Sequence, residues 1–293
     1  MRSAALRQAV RNSRQLIAAV WITMDNRNLG LIAAGVAFYT MFAVFPGIGA
    51  TIALWGFFSS PSVIPGYLET VHEFIPEEAF VLLEGQIETM IRADSSTIGW
   101  ATGLSLVIAA YSVHNAVAAM IDGLNALHAR EHRPGLARLL ASVAITFAFF
   151  ALVLAALAAL VVLPTLLAYL PILRDFSTSL TLLPLGTMVV VGLVTLGLFY
   201  RYGPNHPEER PPWITPGSLL ASALWATVSL GFSYYLANFN SYNRIYGSIG
   251  AVVALLMWFY LLAYVVLLGG VVNLELERIK AARHRKTAVS RAD

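Results

Sequence analysis

Cysteine is absent from this sequence. No disulfide can staple the chain, and no thiolate is available as a nucleophile or metal ligand. Charge is scarce as well: Asp, Glu, Lys and Arg make up 12% of the 293 residues, against roughly 25% in an ordinary soluble domain. Histidine offers little more. Of His72, His114, His128, His132, His206 and His284, only His128 and His132 stand four apart, and they lack a clear third ligand. No HExxH, GxSxG, Walker A or GxGxxG pattern falls at a strand or helix junction where it would carry chemistry. The expectation is therefore no enzyme, no metal and no other cofactor. Any active transport would draw on a gradient or on a separate ATPase.

What is present is apolar: 58% of the residues are hydrophobic. Six long runs, Leu29–Phe58, Ile98–Ile121, Leu139–Leu163, Leu182–Tyr200, Trp213–Ala237 and Gly247–Leu274, contain no Asp, Glu, Lys or Arg. A helix needs about 20 such residues to cross the hydrocarbon core, and only helices or closed barrels satisfy their backbone groups there. The fold class expected is all-α, a polytopic membrane protein with six transmembrane helices. Every charge then lies in a tail or loop, and sixteen of the nineteen Lys and Arg fall on alternate segments beginning with the N-terminal one. By the positive-inside rule both termini are cytoplasmic. Topology and anionic lipid account for this basic excess, so no nucleic-acid partner is expected. Arg outnumbers Lys 17 to 2, which together with the Ala content suggests a GC-rich bacterium.

Residues 1–28 pair Leu6, Val10, Ile17, Val20, Trp21 and Met24 at helical spacing with Arg2, Arg7, Arg11 and Arg14 elsewhere. This reads as an amphipathic interfacial helix rather than a cleavable signal peptide. The six-helix domain covers 29–275, and 276–293 form a basic tail. Within the first span, Pro46, Gly47 and Gly49 predict a kink or a break; a broken helix could expose backbone groups to a substrate. Residues 59–97 carry seven acids against Arg92, with apolar residues at helical spacing, and are expected to form an external helical cap.

A few polar residues interrupt the apolar runs. His114 and Asn115 lie in the second span, where a lone His bonded within the bundle is expected more than a proton relay. Ser218, Ser222, Ser229 and Ser233 share one face of the fifth. That stripe suits either close helix packing or the wall of a polar cavity. The bridge to the sixth span, "ANFNSYNRIYGSIGA", places Tyr242 and Tyr246 at headgroup level, with Asn240, Asn243 and Arg244 able to bond lipid phosphates.

The segment Tyr200–Arg278, with "YRYGPN" and "YNRIYGS", resembles the YihY/BrkB family of bacterial inner-membrane proteins, as do "AAGVAFYTMFAVFPG" and the stretch from Ser112 to Asn125. The resemblance runs from about Ala33 to Arg278 and implies six spans with both termini inside. Family members were long labelled ribonuclease BN, a mistaken label; some are linked to lipopolysaccharide or envelope-lipid transport and others to serum resistance. Where many relatives read Gly-Ala-Glu-hydrophobic-Asn late in the last helix, this chain has Gly269, Gly270, Val271, Val272 and Asn273, with Glu275 close behind. The leading expectation is transport or flipping of an amphipathic envelope component. Pro46, Gly47, His114, Asn115, Ser222, Ser229, Ser233, Asn240, Tyr242, Asn243, Arg244 and Tyr246 are the candidate site residues. A scaffold for envelope assembly and an ion-coupled carrier or channel are the alternatives. Membrane lipids, envelope-assembly proteins and a second copy of the chain are the partners considered.

Overall fold

The structure, a computed structural model, describes residues 2–55, 80–81, 84–85, 87–88, 100–128, 135–169, 177–205, 210–238 and 248–289. Among them all regular structure is helical: α1 Arg2–Asn26, α2 Leu29–Trp55, α3 Trp100–Leu127, α4 Gly135–Tyr169, α5 Ser177–Tyr202, α6 Pro216–Asn238 and α7 Ser248–Val289. In four helices the stretches Leu29–Ala50, Val107–Leu127, Gly135–Ala156 and Val252–Ala282 are long and apolar enough to cross a membrane. The apolar stretch of α5, Gly186–Tyr202, is shorter. Of the cap region, residues 80–81, 84–85 and 87–88 are described and helical, with Phe80 and Ile87 buried and Val81 and Glu88 exposed. The remainder of 59–97 lies outside the described residues.

Helix α1 turns into α2 at Asn28, which holds φ at 50°. Asparagine tolerates this left-handed conformation better than most residues. Its amide nitrogen donates to Asp25 O, while its own carbonyl accepts from the amides of Leu31 and Ile32, closing one helix and opening the next. Beyond the turn, α2 runs unbroken through Pro46 for 27 residues. Proline removes a single donor from the ladder, which the rest of a long apolar helix tolerates. Gly47 sits where α2 meets α3: a Cβ there would stand 3.0 Å from Val113 Cγ2. Helix α2 has its most extensive packing against α3, and α7 touches α1, α2, α3 and α6. At 42 residues, α7 is about 63 Å long. It continues through 276–289, the region read from sequence as a basic tail.

The exposed surface is apolar where a soluble protein would be polar. Leu31, Phe42, Val107, Phe147, Leu230 and Tyr234 are all more than 60% exposed apart from Leu230, which is 58% exposed. Such side chains belong in lipid, and burying them against a neighbour gains little there because lipid tails are equally apolar. Close packing and hydrogen bonds must hold the helices instead. A cluster around Leu29, Leu124, Leu127, Leu267 and Val271 joins α2, α3 and α7, and a second around Ala37, Phe232, Leu255, Trp258 and Phe259 joins α2, α6 and α7.

The tightest contact lies between α6 and α7. A Cβ on Gly217 would collide with the Gly269 carbonyl oxygen, and one on Gly269 would stand 2.6 Å from the Gly217 carbonyl oxygen and 3.0 Å from Ala221 Cβ. The two backbones touch. Gly231, on the same α6, has open space around it. Gly217→Ala is expected to destabilise the bundle by about 1–3 kcal/mol, read as a lower thermal midpoint in detergent. Gly231→Ala should leave that midpoint unchanged or raise it, since alanine is the better helix former.

Candidate functional site

The residues with polar work to do fall into two groups. The first gathers at the end of the bundle where Arg138, Arg201, Arg210 and Arg278 lie. Helix α6 begins there with Thr215-Pro216-Gly217-Ser218. Proline at the first helical position matches a fixed φ and needs no donor. Thr215 acts as N-cap: its Oγ1 accepts from the Ser218 amide at 3.0 Å, and Ser218 Oγ accepts from the Thr215 amide at 2.9 Å. The exchange is that of a capping box, with serine in the place usually taken by Glu.

Helix α7 completes the cap from across the interface. Asn273 Oδ1 accepts from the Gly217 amide at 2.8 Å, and Asn273 Nδ2 donates to Thr215 Oγ1 at 2.9 Å. One buried asparagine therefore satisfies the Gly217 amide at this helix end from the neighbouring helix. Beside it the Tyr200 hydroxyl donates to Val266 O at 2.6 Å, tying α5 to α7. The Asn205 amide donates to Asn125 Oδ1 at 2.9 Å, tying the chain after α5 to α3. Arg201 Nη1 donates to Pro211 O at 2.6 Å, while its guanidinium lies over the Tyr202 and Trp213 rings and that of Arg210 over Tyr202.

Glu275 closes this end. It is 5% exposed, and its Oε1 accepts from Thr23 Oγ1 of α1 at 2.8 Å and from Arg278 Nη1 at 2.6 Å. A buried carboxylate is costly unless paired and hydrogen-bonded. Here both conditions are met, and the pairing fixes α1 on α7. Arg138 pairs with Asp122 between α4 and α3.

The second group lies along α6, α7 and α3 away from that end. Ser229 is fully buried and Ser233 half-buried on α6, about a quarter-turn round the helix from the exposed Leu230 and Tyr234. Ser229 Oγ, Ser233 Oγ, Trp258 Nε1 and His114 Nδ1 are buried without a hydrogen-bond partner among the described residues. Each such group costs about 1–3 kcal/mol. Ser222 and Asn115 are half-buried on the same helices. Ser229, Ser233 and Trp258 belong to the α6–α7 pair, whereas His114 is on α3, which does not pack extensively on α6; what these hydroxyl, indole and imidazole groups offer is hydrogen bonding. Among the described residues no three His, Asp or Glu are placed to hold a metal.

A family model described as Virulence factor BrkB matches residues 20–293. The chain belongs to the BrkB family. The ribonuclease-like protein YfkH of Bacillus subtilis (strain 168) is 26% identical over 257 residues, covering 85% of this chain and 90% of that protein. A UPF0761 membrane protein of Xanthomonas campestris pv. campestris (strain B100) is 44% identical over 81 residues, 28% of this chain and 19% of that protein. One from Xanthomonas oryzae pv. oryzae (strain PXO99A) is 43% identical over the same length. The chain thus spans about a fifth of the Xanthomonas relatives it matches. No solved structure matches it.

In this BrkB-family chain the structure brings Ser229 and Ser233 into the interior, and places His114 and Asn115 on α3 and Pro46 and Gly47 within α2. Asn240, Tyr242, Asn243, Arg244 and Tyr246 lie outside the described residues. The roles of Thr215, Gly217 and Asn273 as an inter-helix cap, of Asn125 toward Asn205, and of Thr23 toward Glu275 were not anticipated. For the first a local signal existed, Thr-Pro-Gly-Ser at a helix start. The others pair residues 80 and 252 positions apart, which no local pattern encodes. Asn273→Ala should cost about 2–3 kcal/mol, because it removes two buried hydrogen bonds and leaves the Gly217 amide unpaired. Chemical denaturation in detergent reads that loss, and Ser222→Ala serves as the near-neutral comparison.

Proposed function

We propose that this protein is a six-span, non-enzymatic inner-membrane protein with cytoplasmic termini that moves an amphipathic envelope component, such as a lipid or lipopolysaccharide precursor, between leaflets. The observation that carries the reading is the contrast along the α6–α7 pair. At the basic end the two backbones touch and Asn273 caps α6. Farther along, Ser229, Ser233 and Trp258 keep buried polar atoms without a partner among the described residues.

Unpaired polar groups at membrane depth favour any state that gives them hydrogen bonds. Separating α6 from α7 about the fixed basic end would open a lateral slot in which a polar headgroup meets these hydroxyls while its acyl chains stay in lipid. The lipid-exposed Leu230 and Tyr234 flank that slot on α6. Hydroxyl and indole bind a headgroup without consuming it, which suits passage rather than reaction. The YihY/BrkB resemblance to envelope-lipid transport points the same way. The positive-inside bias supports the orientation, with the basic end in the cytoplasm.

Reconstitution into liposomes carrying a labelled phospholipid tests the reading. Wild-type protein should speed transbilayer movement over protein-free vesicles, and the Ser229→Ala/Ser233→Ala double variant should slow it by about tenfold, the worth of two modest hydrogen bonds. Wild-type protein that moves neither phospholipid nor a lipopolysaccharide precursor, with or without a gradient, would overturn the proposal in favour of the scaffold.

A further inference from the structure

Where α1 turns into α2 against α7, the structure encloses an open cavity of about 410 Å³. Its walls include Trp21 and Asp25 of α1, Asn28 of the turn, Leu31 of α2, and Tyr260 and Tyr264 of α7. The composition of that wall is unusual for this protein. Asp25 is an exposed acid on that wall, and its carboxylate has no partner among the described residues. Three aromatic rings accompany it: Tyr260 and Tyr264 lie 6.0 Å apart with rings tilted at 48°, and the Tyr260 hydroxyl reaches toward Gly30, where a Cβ would stand 3.2 Å from it. Trp21 is 71% exposed and Leu31 75% exposed, so the mouth is bordered by apolar side chains that belong in a bilayer.

We infer that this cavity is a binding site for the ammonium headgroup of an aminophospholipid. A carboxylate and aromatic rings lining one cavity are the chemistry that recognises an alkylammonium: the acid supplies charge and a hydrogen-bond acceptor, and the rings supply cation–π attraction. Asn28 and the two phenols supply further hydrogen bonds to the polar part of a headgroup. Trp and Tyr at the edge of a membrane helix are placed at headgroup depth, and exposed Leu31 and Trp21 give the acyl chains a path along α1 and α2. Asp25 disfavours an anionic group inside the cavity itself. The inference stands whether or not the α6–α7 pair moves lipid, because none of its residues belongs to that pair's serine face.

The occupant is a lipid rather than a free amine, since the cavity opens beside side chains that a soluble molecule would leave in contact with water. The test uses the full chain in vesicles of equimolar phosphatidylethanolamine and phosphatidylglycerol, followed by native mass spectrometry of the lipid that stays bound. Wild type should retain phosphatidylethanolamine about fivefold over its bulk share. Asp25→Asn should return the ratio to that of the bulk, Tyr264→Leu should reduce it, and Asp25→Glu should preserve it. Because Asp25 is exposed, a thermal midpoint equal to wild type separates loss of the site from loss of the fold. Unselective lipid in wild type, or selection unchanged by Asp25→Asn at an intact midpoint, would overturn the site. Displacement of the lipid by millimolar free ethanolamine would overturn its assignment to a lipid.

Discussion

The structure depends on a backbone contact. Gly217 of α6 and Gly269 of α7 approach until neither can carry a side chain, and everything at the basic end is arranged around that approach. In water such a contact would be one contribution among many, because burying apolar surface would hold the helices anyway. In lipid that driving force is missing, and association rests on atomic contact and on hydrogen bonds. Closeness in turn requires that the amides at the start of α6 find partners within the protein. Asn273 fills that need from the neighbouring helix. The glycines permit the approach, and the asparagine makes it favourable.

Around this contact the basic end becomes a rigid collar. Tyr200 reaches the α7 backbone, Asn125 receives the chain after α5, and Glu275 gathers Thr23 and Arg278. Each link joins segments far apart in sequence, so the collar fixes the order in which helices surround α7. Toward the other end of α6 the character changes. Side-chain packing by Phe232, Trp258 and Phe259 takes over from backbone contact, and buried hydroxyls lack partners among the described residues. A helix pair in backbone contact at one end and carrying unpaired buried hydroxyls farther along is what the proposed parting would act on.

Helical class and membrane residence were readable from the sequence, because charge-free runs of 19 residues or more leave few alternatives in an amphipathic solvent. The helices begin and end near the limits of those runs: α6 spans Pro216–Asn238 against the apolar run Trp213–Ala237. The inward face of α6 was also readable, since serines at 218, 222, 229 and 233 repeat with helical period. Three things were not. Pro46 left a kink and a break both open, and α2 continues as one helix, because a single missing donor does not decide a helix that lipid otherwise enforces. The collar escaped notice because Asn125 and Thr215 look unremarkable one by one, and Asn273 and Glu275, though singled out in the sequence, acquire this meaning only through partners in other helices. The cavity beside Asp25 escaped for the same reason: Asp25 lies in one helix and the tyrosines in another, more than two hundred residues later.

The central claim is that the serine face of α6 borders a space that polar molecules can enter. The absence of cysteine makes each introduced thiol unique, so reactivity can be read at single positions. Ser229→Cys, Ser233→Cys and the lipid-facing Leu230→Cys, each in intact vesicles, would be exposed to a small hydrophilic thiol reagent. The account predicts that the thiols at 229 and 233 are modified and that the one at 230, in hydrocarbon, is not. Equal silence at all three positions would show the serine face to be dry helix packing and would contradict the account.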